Sequence, residues 1–172
     1  HHGLMAAGLR SGLTTSPHLV SWCERIRVNN ELISLKTLRH TLEQLQPVVE
    51  QCRLTPFEQL ICSALVHFEA HQPDWLVLEA GLGGRLDATT AHGFRPLIAV
   101  ASVGMDHREH LGDSLDAIAA EKAAAISEGA HVISATQEPK VAAVLEQRVN
   151  DVNGTLQWVN ALDASWTLGL PG

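Results

Sequence analysis

The sequence predicts an α/β fold in which a mostly parallel sheet is flanked by helices. Two observations predict it. Residues 74–79 (Asp-Trp-Leu-Val-Leu-Glu) and 97–103 (Leu-Ile-Ala-Val-Ala-Ser-Val) are short apolar runs without alternation, the pattern of strands buried on both faces. Segments of helical apolar periodicity alternate with such runs, which is the order of βαβ units. At 172 residues and 45% hydrophobic content the chain can bury one core of ordinary size. No segment combines high charge with low hydrophobicity, as a disordered tail would.

The elements follow in order. Residues 3–10 read as the last turns of a helix. Gly12 punctuates, Leu13, Thr14 and Thr15 form a short strand, and Ser16-Pro17-His18 is a loop. Ser34 is placed to cap a helix in which Leu35, Leu38, Leu42, Leu45 and Val49 recur at helical spacing, with Pro47 leaving its last turn open. Thr55-Pro56-Phe57-Glu58 is a capping box with proline at the first helical position. Phe57, Leu60, Ile61, Ala64, Leu65 and Phe68 make the buried face of that helix. After the strand at 74–79 comes a glycine-rich loop, Gly81-Leu82-Gly83-Gly84-Arg85-Leu86-Asp87, and after the strand at 97–103 the segment Gly104-Met105-Asp106-His107. Ser114 caps a helix to about residue 126, closed by Gly129. A strand at 131–134, a helix from Pro139 to about residue 149 and a strand at 156–159 complete the chain.

Composition narrows the function. A net charge of −7 and a pI near 5.7 leave no basic stripe to neutralise phosphates, so nucleic acid is not an expected partner. No apolar run reaches membrane-spanning length, so no membrane is expected either. The cysteines, Cys23, Cys52 and Cys62, are odd in number and make no C-x-x-C, which fits reduced thiols in a cytoplasmic protein. Both ends read as cut. The chain opens His1-His2 without a methionine and goes straight into a helix remnant, and residues 168–172 close as a turn with nothing after it.

In an open parallel sheet, ligands sit beyond the carboxyl ends of the strands. Glu79 closes one apolar strand and His107 stands just past another, each beside glycines that let a ligand come close. If the strands are neighbours, a carboxylate and an imidazole converge, a set suited to Mg²⁺ or Mn²⁺. Otherwise they are a solvated strand end and a loop histidine. His67 and His71 lie four apart on a helix but lack the acid of the zinc-protease pattern, so a surface pair at a helix end is expected. His110 is read as a neighbour of His107 rather than a ligand. Lys122 sits among alanines in Ala119-Ala120-Glu121-Lys122-Ala123-Ala124-Ala125. It is either a desolvated amine able to form a carbamate with CO₂, or a surface lysine beside Glu121. No G-x-x-x-x-G-K-[ST] occurs within the 172 residues, and the loop at 81–84 has no Lys-Ser/Thr after it. No Ser-His-Asp or Cys-His arrangement stands out.

Taken together, six segments in order resemble a known family: 15–20 (Thr-Ser-Pro-His-Leu-Val), 24–27 (Glu-Arg-Ile-Arg), 54–58 (Leu-Thr-Pro-Phe-Glu), 79–89 (Glu-Ala-Gly-Leu-Gly-Gly-Arg-Leu-Asp-Ala-Thr), Asp106-His107 with Leu111-Gly112, and Glu121-Lys122-Ala123. They are similar to the central, ATPase-type domain of folylpolyglutamate and dihydrofolate synthases in the Mur ligase superfamily. The resemblance spans nearly the whole chain, so residues 1–172 are expected to be a partial domain of that kind. The family's upstream phosphate-binding loop and C-terminal glutamate-binding domain lie outside these residues. The resemblance implies a bifunctional acid–amino-acid ligase. ATP phosphorylates a carboxylate of dihydropteroate or a folate, and the amino group of glutamate attacks the acyl phosphate. It implies Ser16, Glu79 and His107 as Mg²⁺ ligands and Lys122 as a carbamylated lysine. It further implies Thr55, Pro56, Phe57, Glu58, Leu86, Asp87 and Ala88 as substrate-binding residues. It also implies a cytoplasmic monomer that, over these residues alone, does not turn over ATP. Ala80, where the family usually has valine, and Pro56, where a second aromatic is common, depart from the pattern. Another Mur-type ligase acting on peptidoglycan precursors or cyanophycin is the alternative enzyme reading, and a non-catalytic remnant domain the alternative outside enzymes.

Overall fold

The computed structural model describes residues 1–160. The turn expected at 168–172 lies outside the described residues. The chain divides into two compact units, one of residues His1–Leu82 with Asp87–Thr89, the other of Gly83–Leu86 with the chain from Thr90 onward.

The first unit opens with helix α1 (His2–Ala6), ended by Gly8 at a positive φ. Strand β1 (Ser11–Thr14) follows, two residues earlier than its sequence suggests. A short 3₁₀ helix (Trp22–Arg25) leads into β2 (Ile26–Val28) and β3 (Glu31–Leu32), an antiparallel hairpin that the sequence reading did not anticipate. Helix α2 (Leu35–Cys52) starts at Ser34, whose Oγ accepts from the Thr37 N–H at 3.0 Å, as expected. It runs through Pro47 without ending. The bond lost is the one to the carbonyl of Glu43, and both residues face water, which can serve the orphaned carbonyl.

Helix α3 (Pro56–His71) begins with the full capping box: the Thr55 N–H donates to Glu58 Oε2 at 2.7 Å, and the Glu58 N–H to Thr55 Oγ1 at 3.3 Å. Of its expected buried face, Leu60, Ile61, Ala64 and Phe68 are buried and Phe57 is half-buried, but Leu65 is exposed. Strand β4 (Trp75–Leu78) pairs in parallel with β1, giving the order β3-β2-β1-β4. Here the structure departs from the sequence pattern. β4 is an edge strand among the described residues, with Trp75 and Leu76 exposed, although its apolar run suggested burial on both faces. The core of this unit joins Ile26, Val28, Ile33, Leu38, Leu60 and Phe68.

The second unit is the parallel α/β arrangement the sequence predicts. Strands β5 (Leu97–Val100), β6 (His131–Ala135) and β7 (Thr155–Val159) run parallel in that order. Helix α4 (Arg108–Leu111) is a single turn; α5 (Leu115–Ala123) starts at the Ser114 cap and α6 (Pro139–Asp151) at its own proline. Ile118, Ile126, Val132, Val141 and Leu145, all essentially without exposure, form the core. The Ile118→Ala variant is expected to lose about 2–5 kcal/mol of stability, because the cavity adds to the lost transfer energy. Urea unfolding followed by circular dichroism measures it.

His67 is buried on α3 rather than at a surface. Burial first, and then the His71 ring, hold its imidazole below the ordinary pKa of 6.5. The folded chain therefore binds fewer protons here than the unfolded chain. Its contribution to stability is complete above the unfolded value and falls as the pH drops below it. The neighbouring titratable and charged groups on the same cavity are Arg10, Glu31 and His71. The urea midpoint should fall between pH 7.5 and 5.5, and His67→Phe should flatten that slope; an unchanged slope in the variant would contradict the assignment.

Candidate functional site

The loop of residues 16–21 follows β1 and begins with a cis Ser16–Pro17 bond. One carboxylate organises it. Glu24 accepts the backbone N–H groups of Leu19 at 2.9 Å, Val20 at 3.0 Å and Ser21 at 2.6 Å. These bonds hold its pKa below the ordinary carboxylate value, since hydrogen bonds to the charged form favour that form. Arg25 completes the brace: its Nε donates to His18 Nδ1 at 2.8 Å and its guanidinium lies 4.7 Å from the centre of the Trp22 ring. At the start of this loop the Ser16 N–H donates to Glu79 Oε2 at 2.6 Å. The Glu79 N–H in turn reaches the carbonyl of Thr14 at 3.2 Å, extending the β1–β4 ladder by one step. Two of the three expected cation ligands thus meet at the carboxyl ends of paired parallel strands. Beside them Thr14 Oγ1 is buried without a hydrogen-bond partner among the described residues.

The glycine-rich loop owes its shape to lack of room. A Cβ on Gly81 would stand 2.6 Å from the tip of the Phe57 ring, so the Thr-Pro-Phe-Glu helix start and the loop interlock only with glycine there. Asp87 pins the same segment. Its Oδ2 accepts from the N–H groups of Gly81 at 2.8 Å and Leu82 at 2.9 Å, and its Oδ1 from the N–H of Thr89 at 2.9 Å and its hydroxyl at 2.6 Å.

Further along, in the second unit, a Cβ on Gly84 would stand 2.9 Å from the backbone carbonyl oxygens of both Glu121 and Lys122. The Arg85 N–H donates to the Glu121 carbonyl at 3.2 Å, and its Nε pairs with the Glu121 carboxylate at 2.8 Å. The turn that carries Lys122 is therefore clamped by its backbone. Lys122 is half-buried, with Ala119 and Ala123 buried on either side of it. His107 precedes α4 at a left-handed φ of 51°, tolerable for histidine, and its half-exposed ring lies 3.6 Å from Asp106. Ser16 and Glu79 belong to the first unit, His107 and Lys122 to the second. Among the described residues no three histidine, cysteine or acidic side chains gather around one point. Ser16 and Glu79 nevertheless offer hard oxygen donors, which fit Mg²⁺ rather than a soft cation.

No protein-family model matches the chain. Individual proteins do. It is 36% identical over 150 residues to the dihydrofolate synthase/folylpolyglutamate synthase of Bacillus subtilis, covering 83% of this chain and 34% of that protein. It is 36% identical over 151 residues to the dihydrofolate synthetase of Saccharomyces cerevisiae, covering 84% and 35%. Among solved structures it matches a Mycobacterium tuberculosis folylpolyglutamate synthase complexed with ADP and AMPPCP at a TM-score of 0.84 and 30% identity, over 93% of this chain and 40% of the other. An Escherichia coli FolC structure with DHPP and ADP matches at a TM-score of 0.82 and 32% identity, over 94% and 39%. By sequence and by fold, the chain is a relative of the folylpolyglutamate and dihydrofolate synthases. It spans about a third of the length of the curated relatives it matches.

As a synthase relative, the chain carries residues that sequence reasoning named without a role. Glu24 and Arg25 were visible only as part of a resemblance, yet they hold the Ser16 loop. Their signal was the serine three residues before the acid, a capping box over a single turn. Thr55, Glu58 and Asp87 were expected to bind substrate, and the structure gives their oxygen atoms backbone N–H partners. Pro56 is the first residue of α3, Ala88 opens a short 3₁₀ turn, and Leu86 is 92% exposed.

Two glycine variants separate the two kinds of crowding. Gly84→Ala meets backbone on both sides and should cost roughly 1–3 kcal/mol, the usual range for overpacking. Gly81→Ala meets a side chain, so its penalty should shrink when combined with Phe57→Ala. A double-mutant cycle in urea measures that coupling, and strict additivity would contradict the interlock.

Proposed function

We propose that this chain is part of an ATP- and Mg²⁺-dependent ligase that joins dihydropteroate or a (poly)glutamyl folate to L-glutamate. ATP phosphorylates the substrate carboxylate. The amino group of glutamate attacks the acyl phosphate, an amide forms, and ADP and phosphate leave. The carrying observation is the 2.6 Å hydrogen bond from the Ser16 N–H to Glu79, which brings the Ser16 backbone to that carboxylate at the carboxyl ends of the parallel pair β1 and β4, where such strands receive ligands. The names of the bacterial and yeast relatives and the nucleotide complexes of the solved ones support the same reading.

In this reading Ser16, Glu79 and His107 hold Mg²⁺, which when bound offsets charge on the phosphoryl oxygens. Thr14, with its unpartnered buried hydroxyl, pairs in the ladder with Leu78, the residue before Glu79. Lys122 is the carbamylated lysine, its turn fixed by the close approach of Gly84. The substrate segments divide the work. Thr55, Glu58 and Asp87 shape the backbone, while Pro56, Phe57, Leu86 and Ala88 present apolar surface to the pterin side of the substrate. In the same reading the enzyme is a cytoplasmic monomer acting on small molecules, a compartment with which the free thiols of Cys23, Cys52 and Cys62 are consistent. The peptidoglycan, cyanophycin and remnant-domain readings have no observation in their favour.

The test has two parts. These 172 residues alone, given ATP, dihydropteroate and glutamate, should release no phosphate above background, because no Walker-type loop lies within them. In a longer protein that joins this sequence to a phosphate-binding loop and a glutamate-binding domain, Glu79→Ala should lower kcat by roughly 10²-fold or more, as losses of electrostatic stabilisers do. Undiminished turnover by that variant would sink the proposal.

A further inference from the structure

His67 and His71 stand one turn apart on α3, so both rings leave the same side of the helix. Their centroids are 4.1 Å apart with the planes inclined by 47°. His71 Nδ1 lies 2.8 Å from the carbonyl oxygen of His67. With Nδ1 as the donor, the tautomer is fixed and Nε2 keeps its lone pair; metal-bound histidines make this same outer hydrogen bond. His67 is buried, and burial, followed by the neighbouring His71 ring, lowers its pKa and so favours the form that can ligate. Both rings line a polar cavity of about 590 Å³ together with Arg10, Asn29, Glu31 and Ser34.

We propose that His67 and His71 form a two-imidazole chelate for a borderline divalent transition cation of the Zn²⁺, Ni²⁺ or Cu²⁺ class, with water from the cavity completing the shell. The donor set selects the cation. Imidazole nitrogen suits these ions, whereas Mg²⁺ takes oxygen, so this site is chemically distinct from Ser16 and Glu79 and shares no residue with them. The i, i+4 spacing is the one by which a helix presents two histidines to one metal ion. An anion fits less well. Glu31 contributes a negative wall, and the Arg10 guanidinium is turned onto the carbonyl of His71. No third ligand of the histidine, cysteine or acid type joins the pair among the described residues, so the ion keeps exchangeable waters and is not a closed structural centre.

Isothermal titration of the chain with CuCl₂, NiCl₂ and ZnCl₂ tests the site, with Cu²⁺ electron paramagnetic resonance counting equatorial nitrogens. His1 already engages Ser11 Oγ at 2.9 Å and the Asn29 carbonyl at 2.7 Å, but the terminal amine and His2 offer a competing chelate, so His2→Ala is titrated alongside. The expected result is saturable 1:1 binding in wild type and in His2→Ala. Affinity should fall at least tenfold in His71→Ala and in His67→Phe, each with one imidazole nitrogen lost from the Cu²⁺ spectrum. His71 is exposed, so its variant keeps the core intact, and thermal melting verifies the fold of both. Affinity that survives both substitutions, that disappears in His2→Ala alone, or a cavity that takes inorganic phosphate and no metal would overturn the proposal.

Discussion

Crowding of backbone against its neighbours at the glycine-rich loop is the constraint on which the rest depends. Gly81 leaves no space for a Cβ beneath Phe57, and Gly84 leaves none against the carbonyls of Glu121 and Lys122. One short loop therefore records the start of α3 at its first half and the last turn of α5 at its second. This explains why segments far apart in sequence occur together. The Thr-Pro-Phe-Glu helix start, the Gly-Leu-Gly-Gly-Arg-Leu-Asp loop and the Glu-Lys-Ala turn are each one side of a contact whose other side is another of them. Asp87 fixes the loop by taking N–H groups from both of its flanks, a use of a carboxylate that needs no ligand to justify it.

Much of this was legible from local chemistry. The capping box announced α3, and Ser34 and Ser114 announced α2 and α5, because each signal lies within four residues of the hydrogen bond it makes; Pro139 announced α6 through its fixed φ. The parallel direction of β5, β6 and β7 followed from apolar runs alternating with helices, whereas their order did not. The β2–β3 hairpin was not legible, since two and three residues are too few for alternation to register. Nor was the burial of His67 or the exposure of Leu65. Both sit on one helix whose apolar stripe is wide enough to shift by one residue without changing its periodicity. Strand burial escapes the local pattern for a different reason. An apolar run states what a strand can tolerate on its faces, whereas exposure depends on which elements cover it, and β4 and β5 are each paired on one side only among the described residues.

The site was legible to a similar depth. Glu79 stood out because a charged residue ended an apolar run, and Ser16 only through resemblance; that they touch follows from the parallel register of β1 with β4, in which Thr14 faces Leu78. A register is a long-range property, and no pattern within either segment encodes it. Glu24 was hidden for the converse reason. Its three N–H partners are all within five residues, yet they belong to a loop, where propensity is silent and only the capping geometry speaks.

Five acids, Glu24, Glu58, Glu79, Asp87 and Glu121, differ in what their oxygens already hold. Glu24 accepts three backbone N–H groups, Glu58 caps α3, Asp87 pins the glycine loop, and Glu121 pairs with Arg85. Glu79 differs: Oε2 receives a single N–H from Ser16, and Oε1 has no hydrogen-bond partner among the described residues. A carboxylate at a strand tip with one oxygen steadied and the other unspent is oriented but not neutralised. Such a group holds a hard cation at little reorganisation cost, whereas Glu24, Glu58 and Asp87 would first have to release a backbone donor and leave it unpaired, and Glu121 would have to release Arg85. The choice of Glu79 as the cation ligand in the proposed ligase therefore rests on hydrogen-bond accounting as well as on resemblance.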